Sequence, residues 1–313
     1  MEQADLIWHN GELVAWESAQ IHVLTHGLHY GTSVFEGERA YSTANGPAIF
    51  RHQDHLRRLL ASAELYYMPV PYTLEQLRSA THELIAANGL AECYIRPIVY
   101  RGYGQMGLNP LDCPVSVSIA VWPWGAYLGA DSAQRGIRAK IASWRRISSD
   151  SLIPHAKASG QYLNSVLAKV EATKAGYEEA ILLDARGFVC EGTGENVFVV
   201  RDGQIVTPPQ TAGILDGISR KSILQIARDL DHEVVQRDLA RAELYLADEV
   251  FLCGTAAELV PVCEIDDHRI GDGVRWPLTG SIQDVYTDAL HGRADRYREW
   301  LDLVPVPSGT AAG

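Results

Sequence analysis

The sequence predicts an α+β protein of two lobes, and three observations predict it. Its 313 residues exceed one ordinary domain of ~100–200 residues, so two domains, or one large one, are expected. Strand-like segments come in runs interrupted by few helices, not in strict strand–helix alternation. One stretch, from Pro123 to Gly136, has no hydrophobic period and separates the two halves. The expected division is a small N-terminal α/β domain over 1–122, a linker loop over 123–136 and a larger, β-rich C-terminal domain with helices over 137–304. A tail over 305–313, rich in Pro, Ser, Gly and Ala, is expected to be disordered.

The elements follow in order. Residues 7–14 signal a hairpin, because Asn10-Gly11 supplies two positions that tolerate φ > 0. Strands over 33–41 and 48–50 flank a second turn at Asn45-Gly46-Pro47. From His52 to Tyr67 the apolar residues Leu56, Leu59, Leu60 and Ala63 share a helical face. A second helix fits Leu74 to Asn88 and is stopped by Gly89. Strands are expected over 92–101, 115–122 and 137–143. A helix over 160–175 stacks Tyr162, Val166 and Val170 four apart. Residues 179–206 are strand-rich, with turns at Arg186-Gly187 and Asp202-Gly203. An amphipathic helix over 218–229, strands over 249–253 and 259–265, and a last helix over 280–301 complete the pattern.

Composition excludes several classes. A net charge of −12 argues against nucleic acid or an anionic membrane, both of which need basic patches. No apolar run approaches the ~20 residues of a membrane span, and the acidic start Met1-Glu-Gln-Ala-Asp5 has no signal-peptide character. A cytoplasmic protein is expected. Five cysteines without a CxxC pair read as buried thiols, not a disulfide framework or a zinc site. The pairs His26/His29 and His52/His55, each three apart, do not make a metal motif, and no metal is expected.

Lysine is scarce: five stand against 22 arginines. Lys140, Lys169, Lys174 and Lys221 have solvent-facing readings. Lys157 differs, because it stands in a loop of small residues, Ile153-Pro-His-Ala-Lys-Ala-Ser-Gly160, that leads into a helix. Small residues let a bulky group approach closely, and a lysine amine beside a cofactor forms a Schiff base and carries protons. Gly192-Thr-Gly194 precedes a strand rather than a helix, which counts against a dinucleotide or P-loop cradle. Asp216 is a candidate N-cap for the helix at Ile218-Ser219, a start that suits a phosphate as well as a plain capped helix. Gly254-Thr-Ala-Ala257 offers backbone N–H groups to a carboxylate or phosphate. Tyr30, Phe35, Tyr94, Trp122, Trp124 and Tyr127 suit a pocket or a core. Arg96 lies two residues from Tyr94, so both face one side of a strand, where the guanidinium needs an anionic partner.

These fragments, in this order, closely resemble the branched-chain amino acid aminotransferases of the class IV, fold-type-IV, pyridoxal-phosphate family. The matching blocks are His29-Tyr-Gly-Thr-Ser-Val-Phe-Glu-Gly37, Tyr94-Ile-Arg-Pro97, Met106-Gly-Leu-Asn-Pro110, Pro123-Trp-Gly-Ala-Tyr-Leu-Gly129, Ala156-Lys-Ala-Ser-Gly-Gln-Tyr162, Glu191-Gly-Thr-Gly-Glu-Asn196, Tyr245-Leu-Ala-Asp-Glu-Val-Phe251 and Gly254-Thr-Ala-Ala-Glu258. The resemblance implies that Lys157 holds pyridoxal 5′-phosphate as a Schiff base and acts as the catalytic base. It implies that Glu191 pairs with the ring nitrogen, with Glu195 a further cofactor-binding residue of the same block. Tyr162 would donate to the phenolic oxygen, Leu215 would pack on the ring, and Arg58, Ile218, Ser219 and Thr255 would bind the phosphate. Tyr94, Thr255 and Ala256 would hold the α-carboxylate. Tyr30, Phe35, Met106, Leu108, Trp124, Tyr127 and Tyr162 would shape an apolar pocket, in which Arg96 takes the side-chain carboxylate of glutamate.

The implied reaction is transamination between leucine, isoleucine or valine and 2-oxoglutarate, by a homodimer or a larger homo-oligomer with its pocket near the subunit boundary. Family members acting on D-amino acids or (R)-amines, or as aminodeoxychorismate lyases, share the fold. A non-enzymatic small-anion binder is the alternative of another class, and the joint presence of Lys157, Glu191 and Tyr162 speaks against it. The sequence departs from the family pattern at Glu38, where an apolar residue is expected, and at Ser159, Gln161 and Ser219.

Overall fold

The computed structural model describes residues 2–125 and 131–305. In chain order the first elements are β1 (Leu6–His9), β2 (Glu12–Ala15), α1 (His26–Tyr30), β3 (Ser33–Phe35), β4 (Glu38–Thr43), β5 (Gly46–Phe50), α2 (His52–Leu65), α3 (Leu74–Ala87), β6 (Cys93–Arg101) and β7 (Val115–Trp122). Then come α4 (Ser132–Arg135), β8 (Ile137–Arg145), α5 (Tyr162–Lys174), β9 (Glu179–Leu183), β10 (Val189–Gly192), β11 (Asn196–Arg201), β12 (Gln204–Thr207), α6 (Ile218–Asp229) and β13 (Val234–Gln236). The last are α7 (Arg241–Tyr245), β14 (Glu249–Gly254), β15 (Glu258–Ile265), β16 (His268–Arg269), α8 (Pro277–Leu290) and β17 (Leu301–Leu303). Short 3₁₀ turns fill several connections. The expected α+β class holds.

The chain forms two compact units, and both are discontinuous in sequence. The first takes the residues up to Trp124, then 156–160, then those from Asp288 onward; the second takes 125–155 and 161–287. The expected boundaries were contiguous. They missed that a five-residue piece around Lys157 and the chain's last strand return to the first unit.

The first unit is one sheet in the order β17-β5-β4-β6-β7-β1-β2, with β3 added on β6. The Asn10-Gly11 turn adopts φ of 47° and 101°, as the hairpin requires. Helices α2 and α3 bring Leu56, Leu59, Leu77 and Leu84 against Ile95, Val99, Val117 and Ile119 of the sheet. A capping box starts α3: Gln76 N–H donates to Thr73 Oγ1 (3.2 Å), and Thr73 N–H donates to Gln76 Oε1 (2.8 Å).

In the second unit the sheet order is β10-β9-β8-β15-β14-β11-β12-β13. Strand β10 also pairs with β11 through Glu191 and Asn196, so the strands from β10 round to β11 form a closed ring. Val197, Val199, Val250, Leu252, Val260 and Val262 pack in its core.

Three elements depart from expectation. The stretch before β8 holds a helical turn, α4, while 126–130 lie outside the described residues, as do 306–313 of the expected disordered tail. The last helix ends at Leu290, because Gly292 takes φ of 70° and reverses the chain; Leu301–Leu303 then pairs with β5 as a strand. In α5, Ser165, Ala168 and Ala172 are the buried face, whereas Val166 and Val170 are exposed.

Candidate active site

In the first unit, the site is built on α2, β3 and β6. Lys157 is held by its backbone: its N–H donates to Ser62 Oγ (3.2 Å), and its carbonyl accepts from Phe35 N–H (3.0 Å). Val34 and Ala158 form a one-residue bridge beside it. Gly31 and Gly160 make this approach possible, since a Cβ on Gly31 would sit 2.8 Å from Gly160 Cα. The two glycines belong to separate sequence blocks that meet here. The side-chain nitrogen of Lys157 lies 5.1 Å from the Phe35 ring centre.

One turn before Ser62 on α2 stands Arg58. Its Nε and Nη2 donate to the two oxygens of Glu36 at 2.6 and 2.8 Å, and His55 Nδ1 lies 2.7 Å from the same carboxylate. Burial raises the Glu36 pKa, but Arg58 and His55 outweigh it and hold the carboxyl well below the usual carboxylate range. Arg58 therefore enters the site on a fixed, ionised support.

Tyr94 and Arg96 share a face of β6 with Phe35 and Trp122. The guanidinium carbon of Arg96 lies 4.8, 5.2 and 5.9 Å from the ring centres of Phe35, Tyr94 and Trp122. Its Nη2 donates to the Tyr94 hydroxyl at 3.3 Å. The Trp124 ring is tilted by 39° to that of Tyr94, with centroids 5.0 Å apart. Gly37 makes the room: a Cβ there would lie 2.0 Å from Tyr94 Oη. Glu38 is on the other face of β4, opposite Ile95, and is buried against His52 at 2.5 Å. This departure from the family pattern thus points away from the Tyr94 face.

Tyr30 lies 4.6 Å, ring to ring, from His26. His26 bridges Thr32 Oγ1 (2.8 Å) and the Gly107 carbonyl (2.7 Å), which pins the Met106–Leu108 loop. Leu108 is 88% exposed and Met106 42% exposed. Tyr127 falls outside the described residues.

In the second unit, Glu191 sits where β10 meets β11. Arg146 Nε lies 2.7 Å from its Oε1, and Oε2 accepts from Asn196 Nδ2 (3.1 Å) and Leu215 N–H (2.9 Å). Asn196 Nδ2 also bonds the Leu215 carbonyl at 3.1 Å, so Glu191 and Leu215 are fixed together. Glu195 is different. Its Oε2 accepts from Gly194 N–H (3.0 Å), and burial, with repulsion from Glu179, pushes its pKa up to about 8.

Helix α6 starts at Ile218-Ser219, and its N-cap is Gly217, not Asp216. Asp216 instead pairs with Lys221 at 2.5 Å. Gly217 is required there, because a Cβ would lie 2.0 Å from Asn196 Oδ1. The first N–H groups of a helix lack intrahelical partners and attract anions. Tyr286 donates to Ser219 Oγ at 3.2 Å. Thr255 and Ala256 occupy the half-buried turn after β14. Tyr162 opens α5, after Gln161, whose Nε2 donates to the Ile153 carbonyl at 2.8 Å.

Sequence reasoning missed Arg146, Asn196 and Gly37 as supports. Asn196 and Gly37 lay inside quoted blocks; Arg146 carried no local signal. Lys169 was also misread as solvent-facing, since its Nζ contacts buried Glu179 at 2.6 Å.

A profile of the amino-transferase class IV family matches residues 33–265. The branched-chain-amino-acid aminotransferase of Escherichia coli (strain K12) is 45% identical over 97% of this chain and 98% of its own length. The crystal structure of an Escherichia coli branched-chain amino acid aminotransferase superposes with a TM-score of 0.95 at 45% identity, over 97% of this chain and 100% of that one. Two structures of a T.th. branched-chain amino acid aminotransferase, complexed with N-(5′-phosphopyridoxyl)-L-glutamate and with 4-methylvaleric acid, each match with a TM-score of 0.93 at 45% identity, over 97% and 100% of the two chains. With Lys157 bound into the Phe35 strand, Glu191 clamped beside Leu215 and a glycine-capped helix start at Ser219, the chain belongs to the class IV aminotransferases, among the branched-chain-amino-acid aminotransferases.

Proposed function

We propose that the protein exchanges the amino group between L-leucine, L-isoleucine or L-valine and 2-oxoglutarate, with pyridoxal 5′-phosphate held by Lys157. The observation that carries this reading is Arg96 in its cage of Phe35, Tyr94 and Trp122. A fixed cation set among hydrocarbon faces suits a side-chain carboxylate and a branched alkyl chain in turn. The similar T.th. enzyme has been crystallised with ligands of both kinds.

The residues fit the cofactor. Arg58, the Ile218 and Ser219 amides and Thr255 would take the phosphate, and the Gly217 cradle has no room for a side chain. Glu191 would meet the ring nitrogen, its carboxylate fixed by Arg146, Asn196 and Leu215. Glu195 is the weaker candidate for that role, because its raised pKa keeps it protonated at neutral pH. Tyr162 would donate to the phenolic oxygen, and Leu215 would pack on the ring.

When bound, the cofactor supplies an electron sink for the carbanion formed at the substrate Cα. The chain's own residues do the rest. Tyr94 and the amides of Thr255 and Ala256 hold the α-carboxylate. The Lys157 amine would take the proton from Cα. Tyr30, Phe35 and Trp124 would exclude water from the side chain. Met106 and Leu108 would shape the apolar pocket, and their exposure in the single chain supports a homodimer or larger homo-oligomer with the pocket near the subunit boundary.

A panel of amino donors with 2-oxoglutarate tests the reading: L-Leu, L-Ile, L-Val, D-Ala, (R)-1-phenylethylamine and aminodeoxychorismate. The three L-branched donors should give the highest kcat/KM. A preference for D-Ala or the (R)-amine would refute it.

A further inference from the structure

We propose that His52, His82 and Asp302 form a binding site for one divalent transition-metal cation of the zinc or cobalt type. The three residues come from α2, α3 and β17, all in the first unit. One donor atom from each lies within 4.8 Å of the other two.

His52 is prepared as a ligand. Its Nδ1 lies 2.5 Å from Glu38 Oε2, and neither side chain is exposed. A carboxylate only accepts, so Nδ1 carries the proton it shares with Glu38, and the neutral form of the ring has its lone pair on Nε2. That Nε2 is buried and, among the described residues, has no hydrogen-bond partner. His82 Nε2 is also buried without one; it approaches Asp302 Oδ2 at 3.5 Å. The two imidazole nitrogens thus converge beside a carboxylate, the His82 one within ion-pair range of Asp302 and the His52 one without a hydrogen-bond partner among the described residues. Glu38 behind His52 completes the carboxylate–histidine–metal arrangement that orients a ligating ring.

Distances and charge agree with a cation. Ligand bonds of about 2.0–2.1 Å in a tetrahedron set donor atoms about 3.4 Å apart. The His82–Asp302 pair already meets that, at 3.5 Å, and the His52 donor atom lies within 4.8 Å of both. Arg78 donates to both oxygens of Asp302, at 2.6 and 2.7 Å. A carboxylate offers about four lone-pair directions, so about two remain beside the two that Arg78 takes. Glu75 shares Arg78 at 3.1 Å. The carboxylates Glu38 and Asp302 stand at the cluster itself, Arg78 and Glu75 beside Asp302, and Arg51, Arg57, Asp54 and Glu299 line the groove around it. Two nitrogens and one oxygen suit zinc or cobalt better than calcium or magnesium. A groove of about 500 Å³, lined by Arg51, His52, Arg78, Trp300 and Asp302 among others, provides entry. Bound there, the ion would cross-link both helices to the closing strand.

The test uses the holoenzyme, treated with a chelator and titrated with Co²⁺ while its visible d–d absorption and its melting midpoint are followed. One equivalent per chain should bind, with a raised midpoint. Glu38→Gln should weaken binding by about 10- to 100-fold, and His82→Gln should abolish it while transamination stays at the parent rate. Absence of saturable binding by the parent, or undiminished binding by His82→Gln, overturns the proposal. Should a variant fail to fold, parent crystals soaked in Co²⁺ decide: an anomalous peak between His52 and Asp302 supports the site, and a peak only elsewhere refutes it.

Discussion

A guanidinium cannot shed its charge at any working pH, so Arg96 fixes one positive charge among three aromatic rings. A hydrogen bond to a charged group contributes ~1.5–3 kcal/mol, or roughly ten- to a hundredfold in kcat/KM. Arg96→Leu should lose about that much with 2-oxoglutarate. The leucine half-reaction, followed in single turnover, should change only a few-fold. Equal losses in both would mean that Arg96 organises the pocket instead of reading the side chain. Glu195 gives a second test at this scale. Its folded pKa of about 8 lies above the ~4.3 of an unfolded glutamate. Between those values the unfolded chain binds fewer protons, so the residue lowers stability as pH rises to 8 and no further. Glu195→Gln should therefore melt higher than the parent by a margin that grows from pH 5 to pH 8 and then levels. A margin independent of pH would contradict the assignment.

At the scale of elements, the glycine before α6 sets where the helix begins. With a Cβ placed 2.0 Å from Asn196 Oδ1, Gly217→Ala must push the helix start or Asn196 aside. The expected cost is ~1–3 kcal/mol of stability. Loss of the visible absorbance that borohydride removes should accompany it, because Asn196 also holds Glu191 and Leu215. A variant with parental melting and full cofactor would show that the contact relaxes freely. Elements of this kind were legible in the sequence wherever one face was apolar and the ends carried turn residues. Strand β7 and helix α6 fall where the pattern put them. Strand β17 was not legible: three residues after a helical pattern carry no period, and only pairing with β5 makes them a strand. The buried face of α5 is made of Ser and Ala, so hydrophobicity pointed to the wrong side. Within the candidate site, the residues of contiguous blocks were named from the sequence. Arg146 and the His52–His82–Asp302 cluster were not, because their partners lie far apart in sequence.

For the whole molecule, the closing strand matters most. Asp302 on β17 pairs with Arg78 of α3, and β17 covers the edge of β5. A chain cut before Leu301 should melt lower than the parent, since it loses the Asp302–Arg78 ion pair and the β17–β5 pairing and leaves Arg78 with Glu75 alone. The newly bared edge of β5 should promote aggregation. Light scattering during a thermal melt would check this, and a truncated chain that melts like the parent would refute it. The same strand governs how the protein is made. The first unit needs β17 as well as the strands from β1 to β7, so it cannot close until the second unit and β17 have been made. At ~5–20 residues per second, the wait between β7 and β17 is roughly 10 to 40 s. Throughout that time the nascent sheet has an open edge, and a chaperone that shields it has more to protect here than in a protein whose domains follow one another along the chain.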